Sequence, residues 1–197
     1  MIIFAVMRQI QTIILTLLLV FSLDCNAQND KTYHGDGIDD YLRYVPYTSV
    51  LALKLCGVES ASSWKRLAVN TAISCVLTTG ITYTLKHTIH EMRPDGTDNR
   101  SFPSGHTSIA FAGATALCKE YWHVSPWIGV AGYGVATLTA IDRVRRNRHH
   151  WGDVAAGAGI GIVSTEVGYW LGDLITKDHS RYDVAIMPNG VQLVVNL

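Results

Sequence analysis

From Val45 onward the chain runs as long apolar stretches broken by short polar ones. The apolar stretches are Val45–Val58, Leu67–Leu85, His106–Cys118, Pro126–Ile141 and Val154–Leu174. Their continuity and length predict helices rather than half-buried strands. Leu67–Leu85 carries no charge between Arg66 and Lys86, and it approaches the ~20 residues that cross a bilayer. Val124–Ile141 is similar, whereas Thr107–Cys118 is short and Glu166 interrupts the last stretch. Gly157 and Gly161 are four apart, with Ala155 and Ala158 nearby. Such a face allows close helix contact in a membrane or in a soluble bundle. Near the end, Asp183–Met187 and Val191–Val195 flank Pro188-Asn189-Gly190, the pattern of a hairpin or an extended tail. The expected fold is all-α: a bundle of about five to six apolar helices, membrane-embedded or membrane-associated, with a short C-terminal hairpin or extended tail.

The first residues bear on compartment. Arg8 precedes the apolar run Ile13–Leu23, and Cys25-Asn26-Ala27 ends in small residues before Gln28-Asn29-Asp30. That is the layout of a secretory signal cleaved after Ala27, with an uncleaved membrane helix as the alternative. Lipidation at Cys25 is disfavoured by Asp24 immediately before it. The expected organisation is therefore a signal or membrane helix over 1–27, a helical domain over 28–180 and a tail over 181–197. If all five apolar stretches cross, starting outside, the Ser60–Arg66 loop with Lys65 and Arg66 is cytoplasmic, as the positive-inside rule favours. The polar loops Lys86–Gly105 and Asp142–Asp153 then share the outer side. The arginines of the second loop run against the rule there, which points to a specific use for them.

Composition narrows the partners. Lys plus Arg and Asp plus Glu both number 16, so the formal net charge is zero. A neutral total argues against a general nucleic-acid binder. Charged residues make up 16% of the chain, below the ~25% of soluble domains. Hydrophobic residues reach 48%, while the mean hydropathy of +0.17 is modest. A small polytopic membrane protein and a helical domain at a membrane surface both fit. Cys56, Cys75 and Cys118 lie in apolar stretches and are expected to be buried small hydrophobes rather than a disulfide framework.

Candidate chemistry is confined to the two polar loops. Lys86 and Arg93 are seven apart, with Pro94 following. On a continuous helix ending at Pro94 they would lie two turns apart on one side. A lysine point charge and a planar guanidinium suit a phosphate. Pro103-Ser104-Gly105-His106 opens the next apolar stretch. Ser104 is a good N-cap, the free N–H groups there form an anion site, and Gly105 admits close backbone approach. His106 can protonate a departing alkoxide from the first turn. In the second loop His149 and Asp153 are four apart. This spacing brings the carboxylate under the imidazole, so that the ring can attack phosphorus, and Arg143 adds a third cation. His87 and His90, at i and i+3, read as ordinary loop histidines.

Together these segments resemble the type 2 phosphatidic acid phosphatase and vanadium haloperoxidase superfamily, whose pattern is Lys-x6-Arg-Pro, Pro-Ser-Gly-His and Ser-Arg-x5-His-x3-Asp. All three parts occur in order within roughly Lys65–Gly172, and Asp142 stands where the third usually has serine. The resemblance implies an all-α bundle with no required metal or other cofactor. It implies that Lys86, Arg93 and Arg143 bind phosphate oxygens with Ser104 and Gly105, that His149 is the nucleophile with Asp153 its partner, and that His106 is the general acid. The implied activity is phosphate monoester or pyrophosphate hydrolysis on a membrane lipid, such as lipid A, phosphatidate, phosphatidylglycerol phosphate or undecaprenyl pyrophosphate. With the export signal and the two polar loops on the outer side, the expected location is the inner membrane with a periplasm-facing site. A soluble periplasmic nonspecific acid phosphatase is the alternative. A vanadium haloperoxidase and a non-catalytic anion-binding protein stand behind both.

Overall fold

The computed structural model describes residues 37–176 and the backbone of 182–187 and 190–195; the segment expected to be a signal, 1–27, lies outside these. Among the described residues there are six helices: α1 (Asp39–Leu42), α2 (Val45–Leu55), α3 (Trp64–Thr88), α4 (Gly105–Tyr121), α5 (Pro126–Arg145) and α6 (Trp151–Thr176). An antiparallel hairpin follows, β1 (Tyr182–Met187) and β2 (Gly190–Val195), with Tyr182 opposite Val195 and Met187 opposite Gly190. The helical bundle and the C-terminal hairpin agree with the expected fold.

The helix boundaries have local causes. The Ser63 hydroxyl accepts the Arg66 N–H and caps α3, satisfying one of the orphan donors of the first turn. Pro126 occupies the first turn of α5, where its missing N–H costs nothing. At the other end of α5, Asn147 takes a left-handed φ of 55°. The Arg148 N–H then bonds Arg143 O and the Asn147 N–H bonds Val144 O, both at 3.0 Å. This is a Schellman closure with asparagine in the position glycine usually fills. It turns the chain sharply, so that His149 follows the helix within four residues of its end.

Small residues set the packing. A Cβ on Gly157 would lie 2.6 Å from the Ser104 carbonyl oxygen, and one on Gly161 would lie 2.8 Å from Ala112 N. The glycine face read from the sequence therefore presses α6 onto α4. Lower on α6, Gly168 and Gly172 approach Ser74 and Asn70 of α3 in the same way. Between α4 and α5 the core is mostly alanine, with Ala110, Ala114 and Ala136 fully buried. The Arg66 guanidinium clamps Asp173 through Nε at 2.6 Å and Nη2 at 2.8 Å, fixing α3 against the end of α6.

Two of the five apolar stretches, now α3 and α6, are long and apolar enough to cross a membrane. Each is framed by exposed aromatics: Trp64 and Tyr83 on α3, Trp151 and Trp170 on α6. Each pair is nineteen positions apart, about 28 Å along a helix axis, close to the ~30 Å hydrocarbon thickness. Between the frames, Val76, Ile81, Val163 and Val167 face outward. Amphipathic rings at the edges of an apolar band are the arrangement of a helix that meets lipid. Cys56 and Cys75 are exposed and Cys118 only partly buried, which corrects the expectation of buried thiols. Cys75 belongs to the outward apolar surface of α3 beside Val76, so its apolar neighbourhood is surface rather than core.

Candidate active site

The two polar loops meet at one end of the bundle. The first does not have the shape expected of it. Helix α3 ends at Thr88, with Ile89 already extended at φ −100° and ψ 111°. Lys86 lies in the last helical turn, but Arg93 lies in the loop, not two turns up the same helix. The β-branched Thr88 and Ile89 favour departure from helix, and the loop makes its own bonds instead. Arg93 N–H donates to Asp98 O and Ser101 N–H to Glu91 O, both at 2.9 Å. Arg93 Nε donates to Asp98 Oδ1 at 2.8 Å and its Nη1 to Arg148 O at 3.2 Å. The same Nη1 stands 3.5 Å from His149 Nε2. Lys86 Nζ donates to Arg100 O at 2.8 Å.

Asp153 ties the loops together. Its carboxylate oxygen Oδ2 accepts from the Ser101 hydroxyl, and from the His150 N–H at 2.8 Å. Its backbone carbonyl accepts the Ser104 N–H at 3.0 Å. Ser104 stands at the N-cap of α4, but its hydroxyl pairs with Thr107 Oγ1 at 2.9 Å rather than capping a backbone N–H. Gly105 opens α4. His149 Nδ1 lies 3.4 Å from Asp153 Oδ2, an ion-pair distance, with both side chains almost wholly buried. Neither His149 Nδ1 nor Arg143 Nε has a hydrogen-bond partner among the described residues.

Burial, then the positive charges of Arg143, Arg93 and Lys86, push the His149 imidazole down to about 3, against the opposing pull of Asp153. The ring is therefore neutral and nucleophilic throughout the physiological range. In ¹⁵N-histidine spectra the His149 ring, assigned by its loss in His149→Asn, is expected to keep neutral-imidazole shifts from about pH 8 to about pH 5. A midpoint near the ordinary ~6.5 would contradict this.

The remaining pocket residues meet a segment that the sequence did not single out. Asp39 is fully buried and accepts from Arg143 Nη1 and Arg146 Nη1, each at 2.5 Å. Burial opposes its ionisation, but Arg143, His106 and Arg146 outweigh it and hold the carboxyl below the usual range. His106 Nε2 lies 2.5 Å from Asp40 Oδ1 and 3.0 Å from Arg43 Nη1. Among the described residues two groups have the spacing to hold a cation, Asp39–Asp40–His106 and Glu91–His150–Asp153. In the first, the Asp39 oxygens are already taken by two arginines, and Arg43 sits on the histidine. Those positive neighbours oppose a metal.

The PAP2 superfamily family model matches residues 67–176, a span containing all eight expected site residues. The chain belongs to the PAP2 superfamily. It is 40% identical over 172 residues to the lipid A 1-phosphatase of Porphyromonas gingivalis, covering 84% of this chain and 38% of that protein. It is also 40% identical over 84 residues to the probable lipid phosphate phosphatase 4 of Arabidopsis thaliana, covering 36% of this chain and 26% of that one. The chain thus spans well under half the length of these curated relatives. The crystal structure of Aquifex aeolicus LpxE is similar at a TM-score of 0.52 and 26% identity, over 77% of this chain and 93% of that one.

Within this PAP2 fold, His149, Asp153, Arg93 and Ser104 are linked directly or through one neighbour, and Arg143 joins His106 through Asp39. Asp39, Asp40, Arg43, Arg146 and Ser101 complete the surroundings and were not expected. Asp142, in the position usually held by serine, is partly buried, with Oδ2 unpartnered among the described residues. The two apolar spans and the likeness to lipid phosphatases associate the chain with a membrane.

Proposed function

We propose that this chain is a phosphatase that removes a phosphate monoester from a membrane lipid through a phosphohistidine on His149. The observation that carries the reading is a buried His149 held between Arg93 at 3.5 Å and Asp153 at 3.4 Å. Arg93, Arg143 and Lys86 hold the phosphate oxygens, with Ser104 and the Gly105 N–H completing the cradle at the α4 N-terminus. The His149 lone pair at Nε2 attacks phosphorus as the bond to the leaving oxygen breaks, and His106 gives that oxygen a proton. Water then attacks the phosphohistidine, its proton passes to His106, and the P–N bond breaks to release inorganic phosphate. Asp153 supports the charge the His149 ring carries in between.

Lipid A is the favoured substrate, because the relative sharing most of this chain's length is a lipid A 1-phosphatase. The aromatic-framed spans favour a membrane-embedded enzyme over a soluble acid phosphatase. Phosphate release from a panel of lipid A, phosphatidate, phosphatidylglycerol phosphate and undecaprenyl pyrophosphate tests the choice. Fastest turnover on lipid A is expected, and turnover of the other lipids alone would overturn it. The reading includes a helical domain over 28–180 and a periplasm-facing site. Single cysteines at Asn99 and Asn147, probed in spheroplasts with an impermeant thiol reagent, should both be labelled before lysis; protection of both until lysis would put the site in the cytoplasm.

Metal independence follows from the cationic cradle, since Lys86, Arg93 and Arg143 supply the charge that two-metal phosphatases draw from ions. Activity is expected to persist after exhaustive EDTA dialysis, with vanadate a competitive inhibitor. Loss on chelation, restored by Zn²⁺ or Mg²⁺, would overturn the mechanism.

A further inference from the structure

The stretch Gly37–Arg43 precedes α2 and contributes nothing to the family's sequence pattern, yet its side chains surround His106. Asp40 Oδ1 is 2.5 Å from His106 Nε2. Arg43 Nη1 is 3.0 Å from the same nitrogen and 3.4 Å from Nδ1. Asp39 Oδ2 is 3.8 Å away, but both Asp39 oxygens are engaged by Arg143 and Arg146 at 2.5 Å. Asp40 is therefore the carboxylate whose closest partner is the ring itself; among the described residues its second oxygen accepts only the Gly37 N–H, at 3.3 Å.

The charges facing the ring are Asp39, Asp40 and Arg43 from this stretch and Arg143 from α5. Burial, then the charges of Arg143 and Arg43, push the His106 imidazole down to about 4, against the opposing pull of Asp40 and Asp39, and a neutral ring with its proton turned away cannot protonate a leaving group. We infer that Asp40 is the positioning residue of His106: its carboxylate holds the ring through Nε2–H and offsets the arginine charges, so that Nδ1 carries the proton given to the leaving oxygen. This rests on the reading of His106 as general acid. As the P–O bond to the leaving group breaks, the Nδ1 proton passes to that oxygen. The ring ends neutral, with Nε2–H still on Asp40. In the second half, a water proton returns to Nδ1 as the water oxygen bonds to phosphorus and the His149 P–N bond breaks. The pair Asp40–His106 thus does for the acid what Asp153 does for His149.

A purely structural Asp40, pinning the stretch to the bundle, would depress all substrates alike. A general-acid partner acts most on poor leaving groups. The test compares the full-length enzyme with His106→Ala, Asp40→Asn and Asp40→Glu on p-nitrophenyl phosphate and on a long-chain alkyl phosphate. His106→Ala is expected to lose about a hundredfold more kcat on the alkyl ester than on the aryl ester. Asp40→Asn is expected to lose about tenfold more on the alkyl ester, with Asp40→Glu restoring most of that difference. Should Asp40→Asn fail to fold, Asp40→Ser carries the same expectation. If His106→Ala shows the split and the Asp40 variants slow both esters equally, or neither, the inference is overturned while the general acid stands. If His106→Ala itself shows no split, the general-acid reading fails and the inference with it.

Discussion

His149→Ala lowers kcat by at least about a thousandfold, because it removes the group that forms the covalent bond to phosphorus rather than one binding contact among several. His149 is 2% exposed and sits between a guanidinium and a carboxylate, so a smaller side chain leaves a cavity that no neighbour fills with a nucleophile. Substrate binding should suffer less, since Lys86, Arg93 and Arg143 remain. The expected pattern is therefore a collapse of kcat with KM changed by no more than about tenfold. A variant retaining more than about a tenth of the wild-type rate would remove His149 from the nucleophile's role.

Arg143→Ala is expected to damage both stability and rate, and the two losses separate. The guanidinium meets a carboxylate with no solvent exposure, Asp39, at 2.5 Å. Removing one partner of a buried pair costs about 3–5 kcal/mol, and the lower end applies because Arg146 also reaches Asp39. Losing a preorganised donor to the phosphoryl oxygens costs a further ~10²–10³ in kcat. In Arg143→Ala the thermal midpoint in detergent should fall. Adding Asp39→Asn removes the stranded charge and should recover much of the midpoint without recovering the rate. Recovery of both, or a rate near wild type in Arg143→Ala, would mean that Arg143 serves the fold and not the phosphate.

The bundle was legible in the sequence because each helix is a nearly continuous apolar stretch bounded by residues with local jobs. Ser63 caps α3 and Pro126 opens α5. The glycine face of α6 was also legible, because Gly157 and Gly161 recur at helical spacing and the approach of Ser104 and Ala112 requires them. The end of α3 was misplaced. Pro94 is an obvious helix stop, but the hydrogen bonds that draw Glu91 and Arg93 toward Ser101 and Asp98 end the helix at Thr88. Those bonds depend on where the loop returns, which residue type alone does not encode.

The same limit hid the acidic stretch. Asp39 and Asp40 read as part of a polar segment, and their partners Arg143 and His106 lie 104 and 66 positions away. A buried carboxylate beside a half-buried one, before the first long helix, has no sequence signature; only the packing of α1 against α5 and α4 brings them to the site. The cysteines were misjudged for a related reason. In a bundle that meets lipid, an apolar neighbourhood can be the outer surface, so local hydrophobicity does not separate core from periphery.

The central claim is the covalent intermediate on His149, and trapping it is the most direct test. Purified enzyme mixed with ³²P-labelled lipid phosphate is quenched within a single turnover in alkaline denaturant, which preserves phosphohistidine. The digested chain is then mapped by mass spectrometry. The account predicts label on the peptide containing His149, localised to that ring and absent from His149→Ala. Full turnover with no protein-bound phosphate, or label on any other residue, would contradict it.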